Sequence, residues 1–200
     1  MIDATFARLA ATAKVTEGRT SRISHLDLGE GPAVLLIHGG HGGWYHWIEN
    51  VEAIARTRRV IAPDLPGFGA SSELPDGLSL QGLADELFAL LDSLQIAQCD
   101  VVGFSFGACV AACMANGSPE RARSLALVNP AGMGPISGLL ADLQARAGDE
   151  ARQHGVARGI EISMKKIMLS DPSRWLPGLG ELMERHVRAT RTATRPIART

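Results

Sequence analysis

The sequence predicts an α/β protein built on a mostly parallel, twisted sheet with helices on both faces. Three observations carry this expectation. From residue 1 to about 130, short apolar runs alternate with amphipathic stretches, the pattern of strand–helix–strand units. From about 133 to 200 the texture is helical, interrupted by Gly and Pro, with no convincing strand. Three unusual loops, "HGGHGG", "DLPGFG" and "GFSFG", each follow an apolar run. That is where the strands of an open parallel sheet end and where such sheets bind ligands.

Residues 19–29 read as a strand, with Ile23, Leu26 and Leu28 alternating only in part. The continuous apolar run at 33–39 suits a strand covered on both faces. Trp44, Trp47, Ile48, Val51 and Ile54 recur at helical spacing, which predicts a helix over 44–55. Residues 58–64 form another short buried strand. Ser79 is a plausible N-cap for a helix over 79–94, with Leu80, Leu83, Leu87, Leu90, Leu91 and Leu94 along one face. A strand at 99–104 leads into a helix at 105–116 closed by Gly117, and 124–129 forms a last strand.

With 200 residues the chain suits one core-bearing domain rather than two. Its 46% hydrophobic and 20% charged residues are ordinary for a globular protein. A net charge of -1 offers no basic field to recruit nucleic acid, and no apolar run reaches the length of a membrane span. The first fourteen residues lack the apolar centre of a signal peptide, so the expected location is cytoplasmic. Cys99, Cys109 and Cys113 have no paired spacing that would make a disulfide framework. Cys109 and Cys113 share a helix face, but no His or Asp lies close enough in sequence to complete a metal site. They read as small core residues, and neither a metal nor another cofactor is expected.

The chemistry concentrates at Gly103-Phe104-Ser105-Phe106-Gly107. The pentapeptide alone is weak evidence, but an apolar strand runs into it and a helix of small residues runs out of it. A strained turn in that setting lifts a serine Oγ above the sheet. A side chain at Gly103 or Gly107 would collide with the neighbouring helix or strand. The competing reading is an ordinary turn whose serine caps the helix. The loop His38-Gly39-Gly40-His41-Gly42-Gly43 can turn a backbone N–H toward the same place. Acyl transfer needs two such donors for its oxyanion. One would be Phe106 N–H, and the other most readily Gly40, with His41 second. The loop lacks the lysine and the spacing of a phosphate-binding loop. His38, at the end of a buried strand, reads as a holder of loop backbone, and His46 as peripheral. Asp64 reads as a structural acceptor of backbone N–H bonds in its turn.

These loops, in this order and spacing, resemble the α/β-hydrolase fold superfamily over residues of about 20–132, through "GEGPAVLLIHGGHG", "RRVIAPDLPGFGASS", "DVVGFSFGA" and "LALVNPAG". The resemblance implies Ser105 as nucleophile, with an oxyanion hole from the amides of Phe106 and of Gly40 or His41. It divides the chain into a core part at 1–132 and a helical cap at 133–200. It further implies a triad acid and a histidine after two strands beyond the cap, and neither is found in this chain. Asp171 and His186 come in the right order but lie in helical sequence, where they read as solvated residues. Without those last strands, 124–129 would be an open edge, so the chain is expected to be a C-terminally incomplete hydrolase. Arg185, Arg188, Arg191, Arg195 and Arg199 read as a solvated face of the cap, against a sharper reading as a carboxylate-binding stripe.

The expected function is hydrolysis of an ester, an amide or a ketone-flanked carbon–carbon bond in a small apolar molecule. Haloalkane dehalogenase and epoxide hydrolase chemistry would require Asp at position 105. The alternative is a non-catalytic hydrolase-like binding module. Oligomeric state is left open.

Overall fold

The strand–helix alternation predicts five strands within the first 129 residues, and a computed structural model of the chain shows six strands in one sheet. It describes residues 2–40, 42–73 and 79–131, together with 142, 145, 146, 149, 150, 152–155 and 158. The chain divides into two compact units, Met1–Gly132 with Ala189–Thr200, and Met133–Arg188; the described residues belong mostly to the first. His41, most of the expected cap, Asp171, His186 and the arginine stripe lie outside the described residues.

In chain order the elements are α1 (Ile2–Ala10), β1 (Lys14–Glu17), β2 (Arg22–Leu28), β3 (Ala33–Ile37), a 3-10 turn (Trp44–Trp47), α2 (Val51–Ile54), β4 (Arg59–Pro63), α3 (Leu80–Ser93), β5 (Cys99–Phe104), α4 (Phe106–Gly117) and β6 (Ala122–Val128). The six-stranded sheet runs β1-β2-β4-β3-β5-β6. β4, β3, β5 and β6 are mutually parallel, whereas β1 and β2 join one edge antiparallel. The expected mostly parallel sheet is therefore present, with antiparallel pairing at one edge, where β2 alone runs against the other strands.

Burial explains the order. Every residue of β3 is buried, as its unbroken apolar run requires at the sheet centre. Leu35, Ile37, Ile61 and Val101 pack on Leu83, Leu87, Leu90 and Leu91 of α3 and on Val110, Ala111 and Met114 of α4. Each such leucine, fully removed from water, contributes about 1.5–3 kcal/mol. Val34, Leu36, Val60 and Ala62 alternate with them and are buried too, so the sheet centre is covered on both faces. The expected leucine face of α3 is the face that packs, and the Ser79 Oγ accepts the Gly82 N–H at 3.1 Å as the N-cap. Among the described residues β6 pairs only with β5, and its Leu125 and Val128 stay exposed.

Two expectations change. The 44–55 helix is instead a 3-10 turn and a single α turn, broken at 48–50. The Trp44 N–H, at the start of this segment, is taken by the carboxylate of Asp64 at 2.8 Å. α1 and β1 were not expected. α1 is held by stacking of Phe6 on Trp44, 5.0 Å between ring centres, and by the Arg8–Glu52 pair. Cys99 is buried, which pushes its thiol up to about 11, while Cys109 and Cys113 are half-buried and free.

His25 on β2 is fully buried, and its Nε2 has no hydrogen-bond partner among the described residues. Burial holds its pKa below 6.5, against a weaker opposing bond to the Ile23 carbonyl. The unfolded chain therefore takes up the proton first, so His25 supports folding fully above pH 6.5 and progressively less as pH falls below it. The expected result is that acidification from pH 7 to pH 5 lowers the melting temperature of the unmodified chain relative to that of His25→Leu; Asp64, whose carboxyl burial pushes up to about 6, gains its proton in the same window and works the other way in both proteins. The difference amounts to at most about 1.4 kcal/mol per pH unit. Equal slopes in thermal scans would contradict it.

Candidate active site

The turn between β5 and α4 departs from ordinary backbone. Ser105 lies at φ 52°, ψ -113°, a region that costs a residue with a side chain about 1–3 kcal/mol. It persists because the surroundings over-determine it. Ser105 N–H donates to the Val128 carbonyl at 3.0 Å, and the Ser105 carbonyl accepts from Ala108 N–H and Ala131 N–H, both at 3.1 Å. The side chain makes no capping bond, so Ser105 is not the ordinary helix-capping serine of the competing reading.

The flanking glycines are required by close approach. A Cβ on Gly103 would stand 2.5 Å from the Gly107 carbonyl oxygen and 2.6 Å from Ala108 Cα. A Cβ on Gly107 would stand 2.3 Å from the His38 carbonyl oxygen. Gly103 thus lets α4 fold back on its own strand, and Gly107 lets α4 sit against the end of β3. Phe106 is the first residue of α4, where backbone N–H groups have no partner within the helix and the positive end of the dipole lies.

The glycine loop after β3 lies against this turn. A Cβ on Gly39 would stand 3.1 Å from Ser105 Cβ, and one on Gly40 would stand 3.8 Å from Phe106 Cβ. Ser105 is half-buried between two aromatic groups. Phe104 meets His46 and Trp47 edge-on at 5.6 and 6.4 Å, and Phe106 meets Phe68 at 6.2 Å.

Two buried polar side chains tie the loops together. His38 Nε2 accepts the Leu65 N–H at 2.9 Å, so the proton sits on Nδ1, which donates to the Gly39 carbonyl at 2.7 Å. Its ring holds loop backbone, as the sequence suggests. Asp64 accepts the Trp44 N–H at 2.8 Å and the Ala70 N–H at 2.9 Å, again as expected. Burial pushes its carboxyl up to about 6, partly offset by those two bonds. His46 requires a correction. It is not peripheral: its Nδ1 accepts the Gly39 N–H at 3.2 Å beside the turn. Its place at 46 followed from a helix that does not form, so the sequence carried no sign of it. Among the described residues no helix is long and apolar enough to cross a membrane.

A parallel sheet with a strained, uncapped serine at a strand-to-helix turn, faced by a glycine loop, defines a class of α/β fold. The sequence profile of the alpha/beta hydrolase fold matches residues 32–198, and the chain belongs to that family. It is 40% identical over 111 residues to a 2-hydroxymuconate semialdehyde hydrolase of Pseudomonas sp. (strain CF600), covering 54% of this chain and 39% of the relative. It is 39% identical over 117 residues to the dihydrolipoyllysine-residue acetyltransferase component of an acetoin cleaving system of Pseudomonas putida, covering 58% and 32%. The chain thus spans well under half the length of these relatives. The crystal structure of an epoxide hydrolase from Vigna radiata superposes with a TM-score of 0.75 at 20% identity, over 90% of this chain and 68% of that one. At that identity the likeness is one of fold.

Proposed function

We propose that the chain carries the nucleophile and oxyanion part of a serine hydrolase acting on a small apolar molecule. Ser105 Oγ attacks a carbonyl carbon of an ester, an amide or a ketone-flanked carbon–carbon bond. The negative oxygen that results is held by Phe106 N–H and by Gly40 N–H, with His41 as the alternative donor. Gly103 and Gly107 permit the turn. The carrying observation is the backbone of Ser105, strained at φ 52° with its hydroxyl unused for capping. Strain of this kind, held in place by three backbone bonds, accumulates at functional sites.

The proton of Ser105 needs a base. His38 is engaged at both ring nitrogens by loop backbone, so it does not serve. No base for it is assigned among the described residues. The 2-hydroxymuconate semialdehyde hydrolase relative supports a small carbonyl-bearing substrate, and serine at 105 disfavours epoxide opening through an aspartyl ester.

The test is turnover of short p-nitrophenyl acyl esters and of a vinylogous diketone by the chain and by Ser105→Ala. Where the unmodified chain turns these substrates over, the loss expected in the variant is at least ~1,000-fold in kcat. Equal rates in both proteins would leave the binding-module reading in its place.

A further inference from the structure

His46 is the half-buried polar side chain beside the turn that the proposed chemistry leaves without a task. Its Nδ1 accepts the Gly39 N–H at 3.2 Å, so in the neutral ring the proton is on Nε2. The ring stands edge-on to Phe104 at 5.6 Å and to His38 at 6.0 Å, which sets its plane. Gly42 is what lets it in. A Cβ at that position would fall 2.1–2.7 Å from three atoms of the imidazole. Gly42 is buried and its φ is not in the left-handed region, so glycine is needed there for space rather than for conformation.

Gly39 is held from both ends. Its N–H goes to His46, and its carbonyl accepts from His38. The peptide whose carbonyl His38 holds also carries the Gly40 N–H, and a Cβ on Gly40 would stand 3.8 Å from Phe106 Cβ. We propose that His46 is a positioning residue: by holding the Gly39 N–H while His38 holds the Gly39 carbonyl, it fixes together with His38 the direction of the Gly40 N–H toward the developing oxyanion. The proposal rests on the reading of Gly40 as an oxyanion donor, and it assigns a purpose to the pair Gly42 and His46.

The bond itself is tested in the unmodified 200-residue chain by the 15N–15N coupling across the hydrogen bond from Gly39 N to His46 Nδ1. A measurable coupling is expected. Its absence overturns the proposal, and no variant has to fold for that result. His46→Ala and Gly42→Ala should then speed Gly39 amide exchange by roughly five- to tenfold and shift the Gly40 amide resonance. They should lower kcat for the ester substrate with KM unchanged. His46→Asn, whose Oδ1 takes the place of Nδ1, should restore the Gly39 protection, the Gly40 resonance and kcat. Loss of Gly39 protection with the Gly40 resonance and kcat unmoved would reduce His46 to a structural contact and overturn the proposal. Failure of the asparagine to rescue would do the same. If the unmodified chain turns over no ester, the hydrolase reading fails separately, and the Gly39 and Gly40 signals still decide whether His46 positions the loop.

Discussion

Glu86→Ala is expected to lower the unfolding free energy by about 3 kcal/mol, since a buried donor left unpaired costs about 1–3 kcal/mol and of its partners the Ser21 hydroxyl is buried while Arg19 and Thr20 lie at the surface. Glu86 is 1% exposed, on the packed face of α3. Its carboxylate accepts the Arg19 N–H at 2.9 Å, the Thr20 N–H at 2.7 Å, the Ser21 hydroxyl at 2.7 Å and the Thr20 hydroxyl. Burial alone would raise its pKa, but the Thr20 and Ser21 bonds outweigh that and hold the carboxyl below its ordinary value. The turn between β1 and β2 is thereby fastened to the helix that covers the sheet. Removing the carboxylate takes the acceptor from these donors and opens a cavity. For a chain of this size the fall in melting temperature is about 10 °C. Glu86→Gln keeps the shape and leaves one N–H facing an amide nitrogen, so its cost is about 1–3 kcal/mol. A change under about 1 kcal/mol for the alanine variant, measured by urea unfolding, would show that the clasp is not part of the folded state.

At Ser105, two substitutions should separate chemistry from strain. Ser105→Ala and Ser105→Gly should both lose ester turnover, because both lack the hydroxyl. They should differ in stability. At φ 52° alanine retains the strain, while glycine relieves about 1–3 kcal/mol of it and loses about 0.5–1 kcal/mol through the freer unfolded chain. Ser105→Gly is therefore expected to be the more stable variant by about 1 kcal/mol, or about 2–4 °C in melting temperature. A glycine variant no more stable than the alanine one would mean that the turn is not strained.

Most of the sheet was legible because its signals are local. The unbroken apolar run of β3 is the pattern of a strand covered on both faces, and the spacing of the leucines of α3 puts them along one face of a helix. Gly103, Ser105 and Gly107 were legible for the same reason, since five consecutive residues make the whole turn. What was missed depends on distant partners. An acid in the first half of α3 reads as solvated until the 19–21 turn is known to lie over it. β1 is four residues long and mostly exposed, and only its pairing with β2 makes it a strand. The aromatic spacing over 44–55 fits a continuous helix as well as it fits two short turns, and the Trp44–Asp64 bond, 20 residues long in sequence, decides between them. His46 was misplaced by that same error.

The central claim is that the fold around Ser105 makes its hydroxyl a reactive nucleophile. The direct measurement is reaction of the 200-residue chain with a fluorophosphonate, followed by intact mass and peptide mapping. A single adduct on Ser105, formed faster than on free serine and absent from Ser105→Ala, is the predicted result. Labelling at the rate of free serine, or an adduct that survives in Ser105→Ala, would contradict it.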